Sequence, residues 1–506
     1  MTDAPDPAPR PLDHLALCGA ADAPALVLKE FTLSYKQLEE RVGRLACWLA
    51  GRQAGPGARV ASWAAKGELT CLMPLAAARA GLVHVPVNPL LKRAQVAHIL
   101  ADSGASLLIA GSARLDSLEA GDLPAGCGAI EEAEALGQAS ACSPLGPSSA
   151  DPGELAALLY TSGSTGQPKG VMLSHANLWL GAVSVAHYLG LAADDVVLAV
   201  LPLSFDYGQN QLLGAWRAGA CAVPLDYLTP RDVVKACAHR GVTTLAAIPP
   251  LWVQLLETEW PAEASAPLRR LTNSGGALTP ELVRGLRGVF PQARIFAMYG
   301  LTEAFRSTYL DPALIDTHPT SMGRAIPFAE VLVVADDGRL ADAGEEGELV
   351  HCGPLVAQGY WNAPEKTAER FRAAPAQSHY GGTAVWSGDR VTRDAEGLLY
   401  FAGRRDAMIK TAGNRVSPQE IEDAAAAFPG VAEAVAVGVP DARLGQAIVL
   451  FVRGEGLEVA GEGLEAHLRT SLPNFMQPRE ILWRKTLPLN PNGKLDRAAL
   501  AREAAQ

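Results

Sequence analysis

Short apolar runs alternate with amphipathic stretches from about residue 30 to about residue 300, and this alternation constrains the fold more than any other feature. Residues 195–202, 241–249 and 293–298 are apolar runs that predict buried strands. Residues 178–189 instead repeat apolar side chains on one helical face. Strands and helices in alternation predict an α/β fold in which helices cover β-sheets. Residues 111–153 are rich in Ala, Gly, Ser, Glu and Pro, which predicts an irregular surface segment.

The chain has 506 residues, which is too long for one ordinary hydrophobic core and predicts two or more domains. The last hundred residues differ in pattern from the rest. Two short strands, an amphipathic helix and a final strand-like segment there predict a small α+β unit. We therefore expect a large N-terminal domain over residues 1–405 and a small, mobile C-terminal domain over residues 406–506.

Charge and cysteine content exclude several classes of protein. Lys and Arg number 43 against 54 Asp and Glu, and a net charge of −11 argues against non-specific nucleic-acid binding. We find neither a secretory signal nor an apolar stretch long enough to span a bilayer, so we expect a cytoplasmic protein without a membrane partner. The eight cysteines form no C-x-x-C pair, which favours free thiols over a zinc site.

A loop of small and polar residues follows the apolar run at residues 155–159. Residues 160–170 read YTSGSTGQPKG, so glycines let backbone N–H groups approach phosphate oxygens, hydroxyls donate hydrogen bonds, and Lys169 adds positive charge. Pro168 stands where the Walker pattern requires Gly, so this is a different phosphate loop. The alternative is a flexible surface turn, which seldom combines this many hydroxyls and glycines with a lysine.

This loop resembles the signature loop of the adenylate-forming superfamily, which includes acyl-CoA synthetases, firefly-type luciferases and the adenylation domains of peptide synthetases. Further motifs of that superfamily recur in the same order, at residues 273–277, 299–303, 386–389, 403–422 and 488–497. The segment at 299–310, YGLTEAFRSTYL, resembles free-standing prolyl adenylating enzymes and the AMP-forming ligases associated with exosortase gene clusters.

The resemblance implies an ATP site in the large domain. Tyr299 would stack on adenine, and Asp389 would accept hydrogen bonds from both ribose hydroxyls, as a carboxylate can. Arg404 would contact ribose or phosphate. The full nucleotide-binding set that the resemblance implies is Thr161, Ser162, Gly163, Ser164, Thr165, Gly166, Gly275, Gly276, Ala277, Tyr299, Asp389 and Arg404.

The resemblance also implies which residues act in two half-reactions. A carboxylate attacks the α-phosphate of ATP in the first, and because it is already ionised, charge neutralisation and positioning matter more than a general base. The catalytic set would be Lys494, Thr302, Glu303 and Lys169, with Glu303 as the ligand of Mg²⁺. In the second, a thiol attacks the acyl-adenylate after the small domain rotates about Asp406, and Lys410 and Gly413 then line the thiol channel. Taken alone, such lysines and glutamates are usually only solvated charges.

Asp206 is the residue most informative about the acid. It follows Phe205, where acyl-CoA synthetases of this superfamily commonly carry His, and it resembles the Asp that pairs with the substrate ammonium in amino-acid-activating members. The alternative is that Asp206 caps a helix starting at Tyr207. The resemblance places the acid pocket at Asp206, Tyr207, Asn210, Thr272, Ser274, Met298, Arg306 and Ser307.

This pocket has few large aliphatic groups and favours a small or polar acid, with L-proline as the first choice. Arg306 conflicts with that choice, because a cation in an apolar pocket would need its own partner. We find no carrier domain in the sequence, so the acceptor thiol would arrive in trans, as phosphopantetheine on a carrier protein or as coenzyme A. An AMP-forming acyl-CoA ligase for a non-amino acid is the main alternative. A non-catalytic nucleotide-binding protein and a luciferase-like oxygenase are further ones.

Overall fold

The structure is a computed structural model that describes residues 4–52, 55–162, 168–404, 409–411, 414–441, 444–454 and 461–505. The strands are β1 (Pro24–Val27), β2 (Thr32–Ser34), β3 (Arg59–Trp63), β4 (Val83–Pro86), β5 (Ala105–Ala110), β6 (Gly128–Glu131), β7 (Leu155–Ser162), β8 (Pro168–Ser174), β9 (Val196–Ala199), β10 (Cys221–Pro224), β11 (Thr244–Ala247), β12 (Arg270–Asn273), β13 (Arg294–Tyr299), β14 (Thr308–Tyr309), β15 (Ser321–Ala325), β16 (Glu330–Val334), β17 (Gly347–Cys352), β18 (Phe371–Ala373), β19 (Thr383–Arg393), β20 (Leu399–Arg404), β21 (Ile409–Thr411), β22 (Asn414–Val416), β23 (Val431–Asp441), β24 (Gly445–Gly454) and β25 (Glu480–Trp483).

The helices are α1 (Tyr35–Ala50), α2 (Glu68–Arg79), α3 (Arg93–Ser103), α4 (Ser112–Leu115), α5 (Glu132–Ser140), α6 (His175–Leu189), α7 (Asp206–Arg217), α8 (Pro230–Arg240), α9 (Pro249–Leu256), α10 (Ala262–Ser265), α11 (Pro280–Val289), α12 (Pro364–Arg370), α13 (Pro418–Ala426), α14 (Gly461–Ser471) and α15 (Arg497–Ala504). Short 3₁₀ turns lie at Leu12–Leu17, Thr302–Ala304 and Asn474–Met476. Within the described ranges, no helix is both long and apolar enough to cross a membrane.

Two sheets build the larger part of the molecule. The first has the order β6-β5-β3-β4-β7-β8 and is parallel except for the antiparallel pair β7–β8. The second runs β16-β17-β19-β20-β15-β14-β13-β12-β11-β9-β10-β1-β2, with β18 paired to β19. Its strands are parallel from β13 to β1 and antiparallel from β14 to β16.

Helix α6 shows how the sequence sets the boundaries of one element. Ser174 begins it as N-cap by accepting a hydrogen bond from the backbone N–H of Asn177, and Gly190 ends it with a φ of +62°. Most of its side chains are buried, so this helix lies inside the main hydrophobic core. The buried apolar side chains release water from both the helix and the sheets it covers, which is the main stabilising term of the fold.

A third sheet forms the last part of the chain. Its order is β22-β21-β24-β23, with β25 parallel to β24. Helices α13 and α14 cover one face, where Ile421 and Leu464 are buried, and α15 covers the other face through Leu500. The prediction of an α/β fold with a small α+β unit at the end is confirmed. The boundary at residue 405 stays a prediction, because residues 405–408 lie outside the described ranges.

Candidate active site

The candidate site lies at the carboxyl ends of parallel strands, where open α/β sheets commonly bind ligands. The turn at residues 274–277 follows β12, the turn at residues 300–303 follows β13, and Asp206 lies beyond the end of β9. The turn at residues 490–494 of the small C-terminal unit meets these segments, and Lys494 lies at their junction. Residues far apart in the sequence therefore meet at one edge of the large sheet.

A cavity of about 350 Å³ occupies this junction, a size suited to a small-molecule ligand. The predicted nucleotide and catalytic residues that line it are Gly275, Gly276, Ala277, Tyr299, Asp389, Arg404 and Lys494. Other lining residues carry no individual prediction. Ser321, Met322 and Phe401 lie in strands β15 and β20, outside the motifs. Ser417 and Gln419 lie within the motif at residues 403–422, at the start of α13.

Asp389 is held between an aromatic hydroxyl and a guanidinium. The Tyr299 hydroxyl donates a hydrogen bond to Oδ2 of Asp389, and Nε of Arg404 lies 3.2 Å from Oδ1. Desolvation and the neighbouring carboxylate both raise the pKa of Tyr299, so its hydroxyl stays protonated and can donate. The two residues that the sequence predicts for adenine and ribose are therefore in direct contact.

The turn at residues 274–277 allows the Lys494 side chain to approach its backbone closely. Nδ2 of Asn273 donates to the carbonyl of Gly276 at 2.8 Å, which closes the turn. Gly275 has a φ of +81°, and a Cβ built there would lie 2.8 Å from Cε of Lys494. The Lys494 side chain passes over this glycine because no side chain stands in its path.

Lys494 comes from a turn that is ordered by its own side chains. Oδ1 of Asn490 accepts hydrogen bonds from the N–H groups of Asn492 and Lys494 at 2.9 and 3.1 Å. Nζ of Lys494 lies 4.8 Å from the centroid of the Phe205 ring, within the range of a cation–π contact. Desolvation lowers the pKa of Lys494, while the nearby Asp206 carboxylate raises it. The cation is thus held in a site that favours an anionic partner.

Asp206 contacts Thr302 and Arg306. It is the first residue of α7, whose N-cap is Phe205. The alternative interpretation, in which Asp206 caps a helix starting at Tyr207, is therefore wrong. Instead, the hydroxyl of Thr302 donates to Oδ1 of Asp206 at 2.9 Å. Nη2 of Arg306 lies 3.6 Å from Oδ2, which is an ion pair longer than a hydrogen bond.

A strained turn directs Arg306 into the interior. Phe305 has φ 58° and ψ −51°, and the N–H of Arg306 lies 2.6 Å from the carbonyl oxygen of Ala304. These are the features of a classic γ-turn, which is rare and costly for a residue with a bulky side chain. The Phe305 ring fits against Gly181, where an added Cβ would lie 2.2 Å from Cδ1 of the ring. Packing therefore stabilises the turn, and Arg306 is only 2% exposed.

Arg306 lies within the predicted acid pocket. Its Nη1 donates to Oγ of Ser274 at 3.0 Å, and its guanidinium carbon lies 4.7 Å from the centroid of the Tyr207 ring. Its Nε has no hydrogen-bond partner among the described residues. The Tyr207 hydroxyl in turn lies 2.7 Å from Oγ1 of Thr272. The partner that Arg306 needs is thus Asp206, supplemented by a hydroxyl and an aromatic face.

A small cavity of about 30 Å³ lies beside this guanidinium. The predicted pocket residues that line it are Tyr207, Asn210, Thr272, Met298 and Arg306, and the sequence did not single out Tyr188, Gln211 and Thr244, which line it too. Ser307 was predicted as a pocket residue, but it is not among the described residues that line this cavity. Its buried hydroxyl instead lies 2.9 Å from Nδ1 of His351.

Glu303 and Lys169 meet at Tyr360. The Tyr360 hydroxyl donates to Oε1 of Glu303 at 2.6 Å, and Nζ of Lys169 lies 5.2 Å from the centroid of the Tyr360 ring. Desolvation and the nearby Lys366 lower the pKa of Lys169, while Glu303 raises it. Among the described residues, no three His, Cys, Asp or Glu side chains converge on one point. A single carboxylate suits Mg²⁺ held mainly by substrate phosphates and water, rather than by protein ligands alone.

Several predicted residues lie outside the described part of the chain. They are Gly163, Ser164, Thr165, Gly166, Asp406 and Gly413, together with the side chains of Ser162 and Lys410. Thr161 is described and pairs with Lys169 across β7 and β8. The roles of the phosphate loop and of the hinge therefore stay predictions.

Curated relatives are of two kinds. A probable non-canonical nonribosomal peptide synthetase, CymA of Salinispora arenicola, is 34% identical over 95% of this chain, and tyrocidine synthase 3 of Brevibacillus parabrevis is 32% identical over 95%. The chain spans only 6% and 7% of those two proteins. A feruloyl-CoA synthase from an Amycolatopsis species is 32% identical over 92% of both chains. The chain thus matches nearly the whole feruloyl-CoA synthase, but only a small part of each of the two much longer synthetases.

Solved structures agree with these relatives. ATP-bound MatB from Rhodopseudomonas palustris has a TM-score of 0.89 at 25% identity and covers 99% of each chain. A benzoate CoA ligase from Burkholderia xenovorans LB400 has a TM-score of 0.86 at 27% identity, with 97% and 98% covered. The family profile described as AMP-binding enzyme matches residues 16–361, and the one described as AMP-binding enzyme C-terminal domain matches residues 420–494. With its nucleotide-sized cavity at the sheet edge and these matches over most of its length, the chain belongs to the family of AMP-binding enzymes.

Proposed function

We propose that this enzyme uses ATP to convert a small carboxylic acid into an acyl-adenylate and then transfers the acyl group to a thiol. One observation supports this proposal more than any other. Lys494 and the Thr302–Asp206 pair converge between the nucleotide-sized cavity and the polar pocket around Arg306. A carboxylate held there would lie next to the α-phosphate of a nucleotide in the larger cavity.

In the first half-reaction, an oxygen of the ionised acid attacks the α-phosphorus of ATP and forms a new O–P bond. The bond to the pyrophosphate oxygen breaks, and pyrophosphate leaves with its electron pair. The Lys494 ammonium would offset negative charge on the acid and the α-phosphate. The Thr302 hydroxyl has one hydrogen, so it would turn from Asp206 to donate to a phosphate oxygen when the nucleotide binds. Glu303 would hold Mg²⁺, whose charge offsets that of the phosphates.

In the second half-reaction, the thiol loses its proton to solvent and its sulfur forms a bond to the acyl carbon. The bond from that carbon to the phosphate oxygen breaks, and AMP leaves with the electron pair. This step needs no cation at the position of Lys494, so its turn would withdraw with the small domain, as in a hinge motion. Asp406 as pivot, and Lys410 and Gly413 as the lining of the thiol channel, belong to this part of the proposal.

Replacement of Lys494 tests the proposal directly. We expect Lys494→Ala to lower acid-dependent exchange of labelled pyrophosphate into ATP by on the order of 10² to 10³, because transition-state charge loses its counter-charge. Transfer from a synthetic acyl-adenylate to a thiol should keep its rate. Unchanged pyrophosphate exchange in Lys494→Ala would contradict the proposal.

For the acid, we propose an amino acid of small size, with L-proline as the first candidate. Oδ2 of Asp206 lies too far from Arg306 for a hydrogen bond, so it keeps acceptor capacity that an α-ammonium group would use. The adjoining cavity is small, and the relatives that are named as peptide synthetases support an amino acid. The same relatives support a carrier-protein phosphopantetheine as the acceptor.

A non-amino carboxylic acid transferred to coenzyme A is the second candidate, and Arg306 is the observation that favours it. Asp206 already faces the cations of Arg306 and Lys494. The single carboxylate of a plain acid would balance those charges, whereas an added ammonium would leave one unbalanced cation. The feruloyl-CoA synthase and the benzoate CoA ligase named above support this candidate.

Pyrophosphate exchange with the twenty amino acids and a set of short fatty and aryl acids separates the two candidates. We expect Asp206→Asn to abolish amino-acid-dependent exchange, since the neutral amide cannot pair with an ammonium. The variant with both Asp206→Asn and Arg306→Gln is the matched control, because it also removes the buried Arg306 cation that Asp206→Asn leaves without its ion-pair partner. A response confined to fatty or aryl acids would overturn the amino-acid proposal.

The acceptor needs its own assay. The preformed adenylate of the best acid is offered to coenzyme A and, separately, to a phosphopantetheine-loaded carrier protein of the peptide-synthetase type. Faster acylation of the carrier supports the first candidate, and acylation of coenzyme A alone supports the second.

A further inference from the structure

One side chain of the large domain holds the turn that carries Lys494. Asn88 lies two residues beyond β4 and is 5% exposed. Its Nδ2 donates to the carbonyl of Pro491 at 2.8 Å and to Oδ1 of Asn492 at 3.0 Å. Both acceptors belong to the turn at residues 490–494. Asn88 therefore uses both of its amide hydrogens on one segment of the other domain.

The other end of the Asn88 amide is engaged locally. Its Oδ1 accepts the backbone N–H of Leu90 at 2.9 Å, in the manner of an Asx turn. This hydrogen bond fixes the orientation of the amide, because only the oxygen can accept it. The NH₂ group of Asn88 is therefore already oriented for the 490–494 turn before that turn docks. Little side-chain entropy of Asn88 is lost when the two hydrogen bonds form.

Backbone hydrogen bonds within the 490–494 turn couple the position of Lys494 to that of Pro491 and Asn492. The N–H of Asn490 donates to the carbonyl of Lys494 at 2.7 Å, and the N–H of Gly493 donates to the carbonyl of Asn490 at 2.8 Å. Gly493 approaches Ile248 so closely that an added Cβ would lie 2.9 Å from Cδ1 of that residue. The hydrogen bonds from Asn88 to Pro491 and Asn492 therefore fix the backbone position of Lys494.

We propose that Asn88 is a positioning residue for the adenylate-forming half-reaction, which it supports by clamping the 490–494 turn so that Lys494 enters the nucleotide cavity. This inference rests on the proposed function, which assigns Lys494 to that half-reaction. The clamp is released when the turn withdraws, so the transfer half-reaction does not depend on it. Asn88 acts through Lys494 and does not touch the reacting atoms.

The test uses the full chain and measures the two half-reactions separately. Asn88→Ser keeps a hydroxyl that can accept the Leu90 N–H but is too short to reach Pro491. We expect acid-dependent pyrophosphate exchange to fall about ten-fold, as the loss of two hydrogen bonds predicts, through kcat rather than the KM for ATP. The rate of transfer from a synthetic acyl-adenylate to a thiol should stay unchanged.

Two further variants keep the inference falsifiable. Asn492→Ala removes one of the two acceptors and should slow pyrophosphate exchange less than Asn88→Ser does. In a Lys494→Ala background, Asn88→Ser should cause no additional loss, because the clamp then has no cation to position. Equal slowing of both half-reactions, or full additivity with Lys494→Ala, would show a merely structural role and overturn the proposal.

Failure of the clamp and failure of the proposed function give different results. If Lys494→Ala leaves pyrophosphate exchange intact, the proposed function fails regardless of Asn88. If Lys494→Ala lowers exchange to the expected extent while Asn88→Ser retains the wild-type rate, the clamp alone is wrong. An unfolding temperature within error of wild type for Asn88→Ser confirms that the large domain is intact.

Discussion

Single residues set how closely the two domains approach each other at the site. Gly275 has a φ of +81°, and Cε of Lys494 lies where a Cβ would come within 2.8 Å of it. Any other residue at this position meets two penalties, a backbone conformation that L-residues disfavour and a collision with the lysine stem. By contrast, Gly288 in α11 has nothing within 4 Å of its Cβ position.

Gly275→Ala should therefore lower pyrophosphate exchange by about 10- to 100-fold, because a displacement of roughly 1 Å at a catalytic group has an effect of this size. Gly288→Ala is the matched control and should leave exchange unchanged while slightly stabilising its helix. Exchange at the wild-type rate in Gly275→Ala would show that Lys494 reaches its working position by another path.

The environment of Lys494 predicts a pH dependence of the same half-reaction. Desolvation lowers the pKa of Lys494 from its ordinary value of about 10.4. In the proposed function the cation is the active form, so adenylate formation should decline as pH rises through that lowered pKa, at a lower pH than for an exposed lysine. The measurement is the pH profile of kcat/KM for pyrophosphate exchange, because this ratio reports the pKa values of the enzyme without bound substrate.

Lys494→Arg provides the control for this profile, because a guanidinium keeps its proton throughout the range of such an assay. Whatever exchange remains in this variant should lack the alkaline decline. A decline of the same shape in Lys494→Arg would assign it to another group.

The sequence predicted many site residues but few of their contacts. Tyr299, Asp389 and Lys494 fall in short motifs, and the structure brings all of them to one cavity. The pairing of Asp206 with Arg306 depends on the γ-turn at Phe305, where a bulky residue adopts a positive φ. Local propensity opposes that turn, and packing against Gly181 decides it, so the residues 299–310 alone do not reveal it.

At the scale of elements, two strands of the large domain carry buried histidines. Nε2 of His84 on β4 lies 2.8 Å from Oγ of Ser62 on β3, and Nδ1 of His351 on β17 lies 2.9 Å from Oγ of Ser307. Among the described residues, the other ring nitrogen of each has no partner. Burial lowers the pKa of both histidines to about 3, because the charged form would lose its hydration.

These histidines predict a loss of stability in mild acid. Between pH 3 and 6.5 the unfolded chain binds a proton at each histidine that the folded chain does not bind, so stability falls as pH drops below about 6.5. At pH 5 the cost is about 2 kcal/mol for each group. The unfolding temperature of His84→Gln should therefore fall less between pH 7 and pH 5 than that of the wild type.

The exposed His239 in α8 offers a matched control for that measurement. His239→Gln should retain the wild-type pH dependence of the unfolding temperature, because this side chain remains in water. A His84→Gln variant with an unchanged slope would mean that other groups cause the acid sensitivity.

Elements with strong patterns were predicted best. The apolar runs at residues 195–202 and 241–249 contain β9 and β11, which lie in the interior of the large sheet. Residues 111–153 were predicted as irregular, and that prediction is wrong where α4, β6 and α5 occur. β6 is a four-residue edge strand with Ile130 as its buried apolar residue, so its register comes from pairing with β5 rather than from its own periodicity.

At the scale of the whole molecule, the small domain is docked with Lys494 inward through polar contacts of moderate strength. Besides the Asn88 clamp, Nη1 of Arg453 on β24 lies 3.0 Å from Oε1 of Glu257, which follows α9 of the large domain. Arg453 also pairs with Glu433 on its own sheet. Glu257 is half exposed, so its pair contributes at most about 1 kcal/mol, which suits the domain rotation that the proposed function includes.

Charge reversal at this contact should shift the position of the small domain. Glu257→Lys places two cations against each other, so we expect pyrophosphate exchange to slow by about two- to five-fold, with Glu257→Gln between it and the wild type. Transfer from a synthetic acyl-adenylate should not slow, since the proposed function assigns that step to the undocked arrangement. Raising the salt concentration to about 0.5 M should narrow the difference, because exposed charges are screened.

Glu263→Lys, an equal change of charge at an exposed position in α10, is the control and should match the wild type. If Glu263→Lys slows exchange as much as Glu257→Lys does, net charge rather than the Arg453 contact is responsible.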